Sequence, residues 1–197
     1  MSAGGNLPGV ILAGGLSRRM GGGDKTLLTL GDHPVLQHVI ERVRPQVSSL
    51  ALNANGEPER FAPFGLPVLR DTVRGRPGPL AGILAAMRWG AEQGAGRVLT
   101  VPADTPFLPL DLASRLREHS SDGAAIARAG GRNQPTCAVW PTGAADDLQA
   151  FLDNGDERKI MVFADRLGCT RVPFEDMAGF FNINTPDDLS EALELAR

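Results

Sequence analysis

A glycine-rich segment with three cationic side chains runs from Leu12 to Lys25 and reads LAGGLSRRMGGGDK. Backbone N–H groups at glycines can approach phosphate oxygens closely, because no Cβ stands in the way. Positive side chains in the same segment add charge to that cradle, so the pattern predicts a polyphosphate-binding loop. A flexible surface loop without a ligand is the alternative. The glycines are Gly14, Gly15, Gly21, Gly22 and Gly23, and the cations are Arg18, Arg19 and Lys25.

This glycine-rich loop departs from two common phosphate-binding motifs. A P-loop requires a glycine directly before its lysine, and here Asp24 separates Gly23 from Lys25. The dinucleotide fingerprint GxGxxG needs its first two glycines one residue apart, whereas Gly14 and Gly15 are adjacent. The segment therefore predicts polyphosphate binding by another arrangement of glycines and cations.

The basic residues of the chain are strongly skewed, with 18 arginines against two lysines, Lys25 and Lys159. A bias in the encoding genome explains the excess of arginine. It does not explain why a lysine closes the glycine-rich loop. A compact ammonium group acts as a point charge between phosphates, which a planar guanidinium does less well. We therefore expect Lys25 to be the principal cation of the loop.

An acidic residue follows another predicted strand in the segment VPADTP, from Val101 to Pro106. Asp104 then lies at the carboxyl end of a strand, which is where ligands bind in an open α/β sheet. Mg²⁺ is commonly held by one or two carboxylates together with substrate phosphates. The segment predicts Asp104 as a magnesium ligand beside the polyphosphate, and a turn-capping aspartate is the alternative.

Other candidate binding positions lie at strand ends and at a helix start. Gly78 and Gly82 belong to the segment RPGPLAG, where a helix N-terminus and a close backbone approach favour a ligand. Asn53 ends a predicted strand in LNAN, and Asp71 follows the next strand in LRD. An amide or carboxylate at such a place can bind the edge of a base or a ribose. Taken singly, each of the four is also an ordinary residue of turns.

Strands and helices in alternation must carry these residues to one place. Up to residue 102 the two alternate, which is typical of a parallel sheet with helices on both faces. We predict an α/β fold, a Rossmann-like three-layer domain with a mostly parallel central sheet. The predicted strands are Gly9–Leu12, Thr26–Leu30, Ser49–Asn53, Val68–Arg70, Arg97–Pro102, Ala124–Ala127 and Thr136–Trp140, with a short extended segment at Phe180–Asn184. The predicted helices begin at Pro34 and after Pro79, and cover Leu110–Glu118, Asp146–Leu152 and Pro186–Ala196 with Thr185 as N-cap.

Composition excludes several classes of protein. The chain has 197 residues, close to the size of one domain, and a net charge of −3, which argues against a nucleic-acid partner. No apolar run approaches the ~18–20 residues of a membrane span, and the first residues lack the features of a signal peptide. Cys137 and Cys169 have neither a zinc spacing nor a disulfide framework. We therefore expect a single cytoplasmic domain, 1–197, that binds neither membranes nor nucleic acid.

Four segments together resemble the molybdenum cofactor guanylyltransferases, a branch of a wider group of sugar-nucleotide and cytidylyl transferases. The segments match the patterns LAGGxSxRMGxxxK, PGPLAG, PADTP and FNINTPDDL, and the resemblance runs from about Pro8 to Leu189. It implies transfer of GMP from GTP to molybdopterin, with Mg²⁺ as cofactor and pyrophosphate as the second product. The chain would then have a nucleotide-binding half, about 8–105, and an acceptor-binding half, about 106–197.

The resemblance also implies roles for individual residues. Asp104 would hold the metal. The chemistry of the implied reaction adds that Arg19 and Lys25 stabilise charge that grows in the transition state, so these three are the expected catalytic residues. Asn182 and Asn184 are expected to bind the pterin acceptor. Together with the glycine positions above, the residues expected to bind GTP are Leu12, Ala13, Gly14, Gly15, Gly21, Lys25, Asn53, Asp71, Gly78, Gly82 and Asp104.

Two features favour GTP over CTP. The first loop reads LAGG where related cytidylyltransferases often read LAAG, and the late motif reads NINTP where those relatives often carry a metal-binding aspartate. A nucleotidyltransferase that uses CTP on a pterin or a phospho-acid is one alternative, and a GTP-binding regulatory or carrier protein is another. The combination of Arg19, Lys25 and Asp104 argues against a protein that only binds. The pathway of this family also implies transient contact with other proteins that handle the molybdenum cofactor.

Overall fold

Seven strands form the central sheet of the computed structural model, which describes residues 6–14, 27–73, 78–121, 123–154 and 159–195. The strands of this sheet are β1 (Gly9–Leu12), β4 (Leu50–Asn53), β5 (Val68–Leu69), β6 (Arg97–Pro102), β7 (Ala125–Ala129), β8 (Arg132–Pro141) and β9 (Thr170–Phe174). Two further short strands, β2 (Thr29–Leu30) and β3 (His33–Pro34), form a separate antiparallel ribbon. The order across the large sheet is β5-β4-β1-β6-β8-β7-β9, and β8 alone among these seven runs antiparallel to its neighbours.

A tight hairpin accounts for the reversed direction of β8. Ala129 of β7 pairs with Arg132 of β8, so that Gly130 and Gly131 form a two-residue turn between them. Their φ angles are 54° and 75°. A two-residue turn with both φ angles positive matches the right-handed twist of the flanking strands, and glycine adopts it without steric cost. The connection that enters β8 is therefore a hairpin rather than a crossover.

Helices cover both faces of the sheet, so the predicted three-layer α/β fold is confirmed. Neighbouring residues of a strand point to opposite faces, and both Val10 and Ile11 of β1 are fully buried, each in a different core. This two-sided burial explains the near-continuous apolar character of the strands. The helices on the Ile11 face are α1 (Val35–Val43) and α3 (Leu112–Glu118), and those on the Val10 face are α2 (Pro79–Glu92), α4 (Ala145–Asp153) and α5 (Ile160–Arg166).

The last helix, α6 (Pro186–Leu195), begins with a reciprocal cap. Asp188 N–H donates to Thr185 Oγ1 at 3.1 Å, and Thr185 N–H donates to Asp188 Oδ2 at 2.9 Å. This capping box confirms Thr185 as the N-cap. Beside the helix, buried Ile183 and Ala192 form a small core with Leu30 of β2. No helix in the described ranges is long and apolar enough to cross a membrane.

The sequence reading is incomplete around the last strand. The predicted extended segment Phe180–Asn184 begins with the end of a 3₁₀ turn, Ala178–Phe180, and continues in extended backbone at Phe181 without joining a strand ladder. Strand β9 was not predicted. Its buried residues, Val172 and Phe174, alternate with exposed ones as in other strands, but one of the exposed residues is Pro173. An edge strand tolerates proline because it needs no ladder hydrogen bond on its outer side.

Most other differences concern element ends. The predicted strand Thr26–Leu30 is reduced to Thr29–Leu30 in the ribbon, and Thr26 lies outside the described residues. Strand β8 begins at Arg132, four residues before the predicted start at Thr136. The candidate site residues still lie at the carboxyl ends of strands. The predicted position of the site therefore does not depend on these differences.

A buried hydrogen bond between β6 and β8 makes the packing of the sheet testable. Thr100 Oγ1 accepts from Trp140 Nε1 at 2.9 Å and donates to the Thr136 carbonyl at 3.0 Å, and Thr100 is fully buried. The substitution Thr100→Val keeps the shape but leaves the indole N–H without its acceptor. We expect it to lower the free energy of unfolding by about 1–3 kcal/mol, measured by urea denaturation. In the control Thr170→Val, at an exposed site of β9, the change should stay within about 0.5 kcal/mol; equal losses would contradict the argument.

Candidate active site

Three neighbouring parallel strands end level with one another at one edge of the sheet. Leu12 of β1 pairs with Asn53 of β4 on one side and with Pro102 of β6 on the other. Backbone hydrogen bonds extend this alignment beyond the strands, since Ala13 N–H donates to the Asn53 carbonyl at 2.8 Å and Ala103 N–H to the Leu12 carbonyl at 3.1 Å. The residues that follow these strands therefore share one edge, as the sequence predicts.

The side-chain amide of Asn53 is buried and has a fixed orientation. Its Nδ2 donates to Asp71 Oδ1 at 2.9 Å and to the Leu69 carbonyl at 3.3 Å. Both partner atoms can only accept, so the amide nitrogen faces them and Oδ1 faces the opposite side. On that side, an ideal Cβ on Gly82 would lie 2.3 Å from Oδ1, and one on Gly14 would lie 3.5 Å from it. A fixed hydrogen-bond acceptor thus points between two glycines.

Asn55 completes the hydrogen-bond network around Asp71. Its Nδ2 donates to Asp71 Oδ2 at 2.7 Å, and its Oδ1 accepts from Asp71 N–H at 3.2 Å. Arg60 in turn donates to the Asn55 carbonyl at 2.7 Å. Each carboxylate oxygen of Asp71 accepts from one asparagine, so Asp71 positions both amides. Sequence reasoning missed Asn55, although its spacing of two from Asn53 at a strand end was a signal for a second amide on the same side.

Glycines allow the first turn of α2 to lie against this network. An ideal Cβ on Gly82 would also lie 3.1 Å from Leu12 Cδ2, so no side chain fits between the helix and the strand ends. Gly78, directly before the helix, has φ 68° and ψ −154°, a conformation that essentially only glycine adopts. The N-terminus of α2, where the helix dipole favours an anion, therefore meets the same edge of the sheet.

Asp104 follows β6 at this edge and is half-buried. Its main-chain carbonyl accepts from Ile183 N–H at 2.9 Å. The next residue, Thr105, donates from its buried hydroxyl to Asn182 Oδ1 at 2.5 Å. These two hydrogen bonds tie the loop of Asp104 to the segment before α6. They bring Asn182 beside Asp104, with Asn184 two residues further along, and both asparagines are exposed.

The thiol of Cys137 in β8 lies near the Asp104 carboxylate. Burial raises the pKa of this thiol, and the negative charge of Asp104 raises it further. The thiol therefore stays protonated at neutral pH, and a protonated buried thiol serves neither as a nucleophile nor as a metal ligand. Within the described ranges, no three His, Cys, Asp or Glu side chains gather into a metal site.

The remaining candidates of the glycine-rich loop lie outside the described residues. The described chain reaches Gly14, next to Asn53, and begins again at Leu27, which packs against the core on the α1 face. The strand-end candidates are thus brought together, and the roles of the loop residues stay predictions. The candidates concerned are Gly15, Arg18, Arg19, Gly21, Gly22, Gly23 and Lys25.

Comparison with protein families defines the class. The family model described as the MobA-like NTP transferase domain matches residues 9–167, a range that contains the strand ends, the α2 glycines and Asp104. A sheet edge with a fixed amide, a glycine cradle and the carboxylate of Asp104 is suited to a nucleoside triphosphate with its metal. The chain is a nucleotidyltransferase enzyme.

Similarity to individual proteins indicates which family of nucleotidyltransferases the chain belongs to. A molybdenum cofactor guanylyltransferase from Cereibacter sphaeroides is 51% identical over 189 residues, which cover 96% of each chain. One from Mesorhizobium japonicum is 50% identical over 199 residues, again covering 96% of each. The crystal structure of molybdopterin-guanine dinucleotide biosynthesis protein A from Archaeoglobus fulgidus is 27% identical, covers 96% of this chain and 98% of that one, and has a TM-score of 0.77. This chain belongs to the molybdenum cofactor guanylyltransferase family.

The contact between Gly82 and Asn53 generates a prediction about nucleotide affinity. In the variant Gly82→Ala the new methyl group would lie 2.3 Å from Asn53 Oδ1 and would displace it. Because alanine favours a helix over glycine by ~1 kcal/mol, the fold should survive. We expect the KM for the nucleoside triphosphate to rise by about tenfold or more, measured in steady-state kinetics. The control Gly96→Ala meets no atom within 4 Å, so its KM should not change; an unchanged KM in Gly82→Ala would contradict the assigned contact.

Proposed function

We propose that this protein transfers GMP from GTP to molybdopterin, forming molybdopterin guanine dinucleotide and pyrophosphate. The observation that carries the proposal is the 51% and 50% identity, over 96% of each chain, to proteins named for guanylyl transfer. The fixed Asn53 acceptor supports it, since guanosine offers N–H donors on its base and O–H donors on its ribose. The GTP site at the strand edge comprises Leu12, Ala13, Gly14, Asn53, Asp71, Gly78, Gly82 and Asp104.

The proposed reaction is a displacement at the α-phosphorus of GTP. An oxygen of the acceptor's phosphate monoester forms the new bond to this phosphorus. The bond from the α-phosphorus to the pyrophosphate oxygen breaks, and pyrophosphate leaves with the electron pair. A phosphate monoester has its second pKa near ~6, so it is largely ionised at neutral pH and needs no strong general base. The protein contributes positioning and stabilisation of charge.

The glycine-rich loop supplies the positive charge in this proposal. Arg19 and Lys25 stabilise the negative charge that grows on the α-phosphate and the departing pyrophosphate, and Gly15 and Gly21 offer main-chain N–H groups. Support comes from the start of the loop, because Gly14 lies beside Asn53 at the strand edge. Loss of one such transition-state contact typically lowers the rate by ~10²–10³-fold.

Asp104 is the protein ligand that we propose for Mg²⁺. The half-buried carboxylate of Asp104 fits this ion, which takes one or two carboxylates and completes its shell with phosphate oxygens and water. The oxygens of Asp71, at the same edge, accept hydrogen bonds from Asn53 and Asn55. Bound Mg²⁺ supplies neutralisation of phosphate charge. Asp104 would hold the cation at the strand edge, beside the segment that carries Asn182.

The acceptor side of the site consists of Asn182 and Asn184 in this proposal. Both are exposed, and the hydrogen bond from Ile183 N–H to the Asp104 carbonyl, at 2.9 Å, holds their segment beside the metal ligand. Neutral amides can donate to a phosphate without adding a negative charge. Asn182 and Asn184 therefore suit an anionic pterin phosphate better than carboxylates would.

We further propose that the chain works as one domain in the cytoplasm. Continuity of the sheet supports a single domain, since β6 of the nucleotide-binding half, about 8–105, pairs with β8 of the acceptor-binding half, about 106–197. The two free cysteines are consistent with a reducing compartment. Its partners are GTP, molybdopterin and, transiently, proteins that handle the molybdenum cofactor.

A panel of nucleotides tests the proposed function directly. The purified protein is incubated with Mg²⁺, molybdopterin and one of the four ribonucleoside triphosphates, and pyrophosphate is measured. We expect release with GTP only, and release with CTP but not GTP would overturn the proposal. Omitting molybdopterin is the control, because without an acceptor no pyrophosphate should be released and hydrolysis of GTP to GDP yields only inorganic phosphate.

Removing the charge of Asp104 tests the proposed metal ligand. The variant Asp104→Asn is nearly isosteric but binds Mg²⁺ poorly, so we expect kcat/KM at ordinary Mg²⁺ to fall by about 10²-fold or more. Raising the Mg²⁺ concentration should recover part of this loss. The control is Asp111→Asn. The Asp111 side chain forms an exposed ion pair with Arg115 at 3.7 Å, so kcat/KM of this variant should equal that of the wild type. Full activity of Asp104→Asn at ordinary Mg²⁺ would assign the metal to another ligand.

A further inference from the structure

We propose that Thr105 is a positioning residue that sets the direction in which Asn182 presents its amide to the acceptor phosphate. This inference rests on the proposed function, because it assumes that Asn182 faces the acceptor. It adds a residue that makes no contact with substrate and acts through Asn182.

The hydroxyl of Thr105 is placed to control a single side chain. Thr105 is 1% exposed, and its Oγ1 lies 2.5 Å from Asn182 Oδ1, across 77 positions of sequence. Asn182 is exposed and has no other hydrogen-bond partner among the described residues. The orientation of its amide therefore depends on this one bond.

Packing fixes the backbone of Asn182 but not its amide. Its neighbour Ile183 is 1% exposed in the core beside α6, and Phe181 packs against the same core. Ile183 N–H is also bound to the Asp104 carbonyl at 2.9 Å. These contacts bring the side chain of Asn182 to Thr105 and leave its two amide orientations to be decided by the hydroxyl.

The short contact with the hydroxyl distinguishes these orientations. Thr105 Oγ1 lies 2.5 Å from Asn182 Oδ1, a separation within the range of an O–H···O hydrogen bond and below that of an N–H···O bond, so the hydroxyl donates to Oδ1 rather than to Asp104 Oδ1 at 3.4 Å. With Oδ1 turned toward Thr105, the NH₂ group of Asn182 points away from the protein. An outward NH₂ donates to a phosphate oxygen, whereas an outward carbonyl oxygen would repel it. Thr105 thus makes the exposed end of Asn182 a donor.

The variant Thr105→Val tests this role, because valine keeps the shape and removes the hydroxyl. We expect the KM for molybdopterin to rise by about tenfold, with kcat and the KM for GTP within about twofold of wild type. Thr105→Ser retains a hydroxyl and should restore the KM. Thr142→Val is the matched control, since Thr142 is buried, donates to the Ala95 carbonyl at 2.7 Å and lies at the opposite end of β6.

A double-mutant cycle separates positioning from a general structural effect. In the background of Asn182→Ala, the further change Thr105→Val should alter the KM for molybdopterin by less than about twofold, because the group on which it acts is gone. If the fold-increases in this KM caused by the two single substitutions multiply in the double variant, the two residues act independently and the inference is overturned. An unchanged KM in Thr105→Val alone would also overturn it.

Two measurements keep the inference falsifiable if Thr105→Val does not fold. The exposed substitution Asn182→Asp keeps an acceptor for Thr105 but presents an anion outward, so the KM for molybdopterin should rise by more than in Asn182→Ala; a smaller rise would overturn the inference. In ¹³C NMR spectra of the wild type, the Asn182 side-chain carbonyl signal should be shifted from that of a free amide, because its oxygen accepts from the Thr105 hydroxyl; a free-amide shift would overturn it. If the wild-type protein releases no pyrophosphate, the proposed function is wrong. If the wild type is active and Thr105→Val has the wild-type KM for molybdopterin, only the inference about Thr105 is wrong.

Discussion

The backbone pairing of β1 with β4 and β6 determines where every polar group of the site lies. Leu12 is level with Asn53 on one side and with Pro102 on the other. Because side chains alternate between the two faces of a sheet, a slip of one residue in β4 would turn Leu52 toward Gly82 and bury the Asn53 amide in the opposite core. The difference in size between the two faces of β4 opposes that slip, because Leu50 and Leu52 pack in one core and the smaller Ala51 packs in the other. The register that packs the two cores is therefore also the register that forms the site.

The polar groups at this edge are held by one another before any ligand arrives. On the nucleotide side, the Asp71 carboxylate accepts from Asn53 at 2.9 Å and from Asn55 at 2.7 Å, and bonds to a charged acceptor are stronger than neutral ones. On the proposed acceptor side, Thr105 and the Asp104 carbonyl hold the segment of Asn182. An amide that is already oriented loses little conformational freedom on binding, which favours both affinity and positioning.

The sequence predicts the parts of the site that follow from local pattern. Alternating strands and helices predict the fold, and the strand-end rule brings Asn53, Asp71 and Asp104 to one edge. Thr105 was missed because its role comes from a partner 77 positions away, and no local pattern marks such a contact. For Asn55 a spacing of two from Asn53 was available, but its partner Asp71 lies 16 positions away. Strand β9 was missed for a different reason, since its two-residue alternation includes Pro173, which is acceptable only at a sheet edge. That β9 forms the edge is a property of the whole topology.

The distribution of charge at the site follows from the proposed reaction, which brings two anions together. A second carboxylate near Asp104 would bind metal more tightly but would repel the acceptor phosphate. Asparagine at position 182, oriented by Thr105, instead offers an uncharged donor at that place. The positive charge that offsets the two anionic substrates must then come from the metal and the glycine-rich loop. In a chain with 18 arginines and two lysines, the lysine at position 25 fits this demand, because a compact ammonium can approach several phosphate oxygens without the planar geometry that a guanidinium requires.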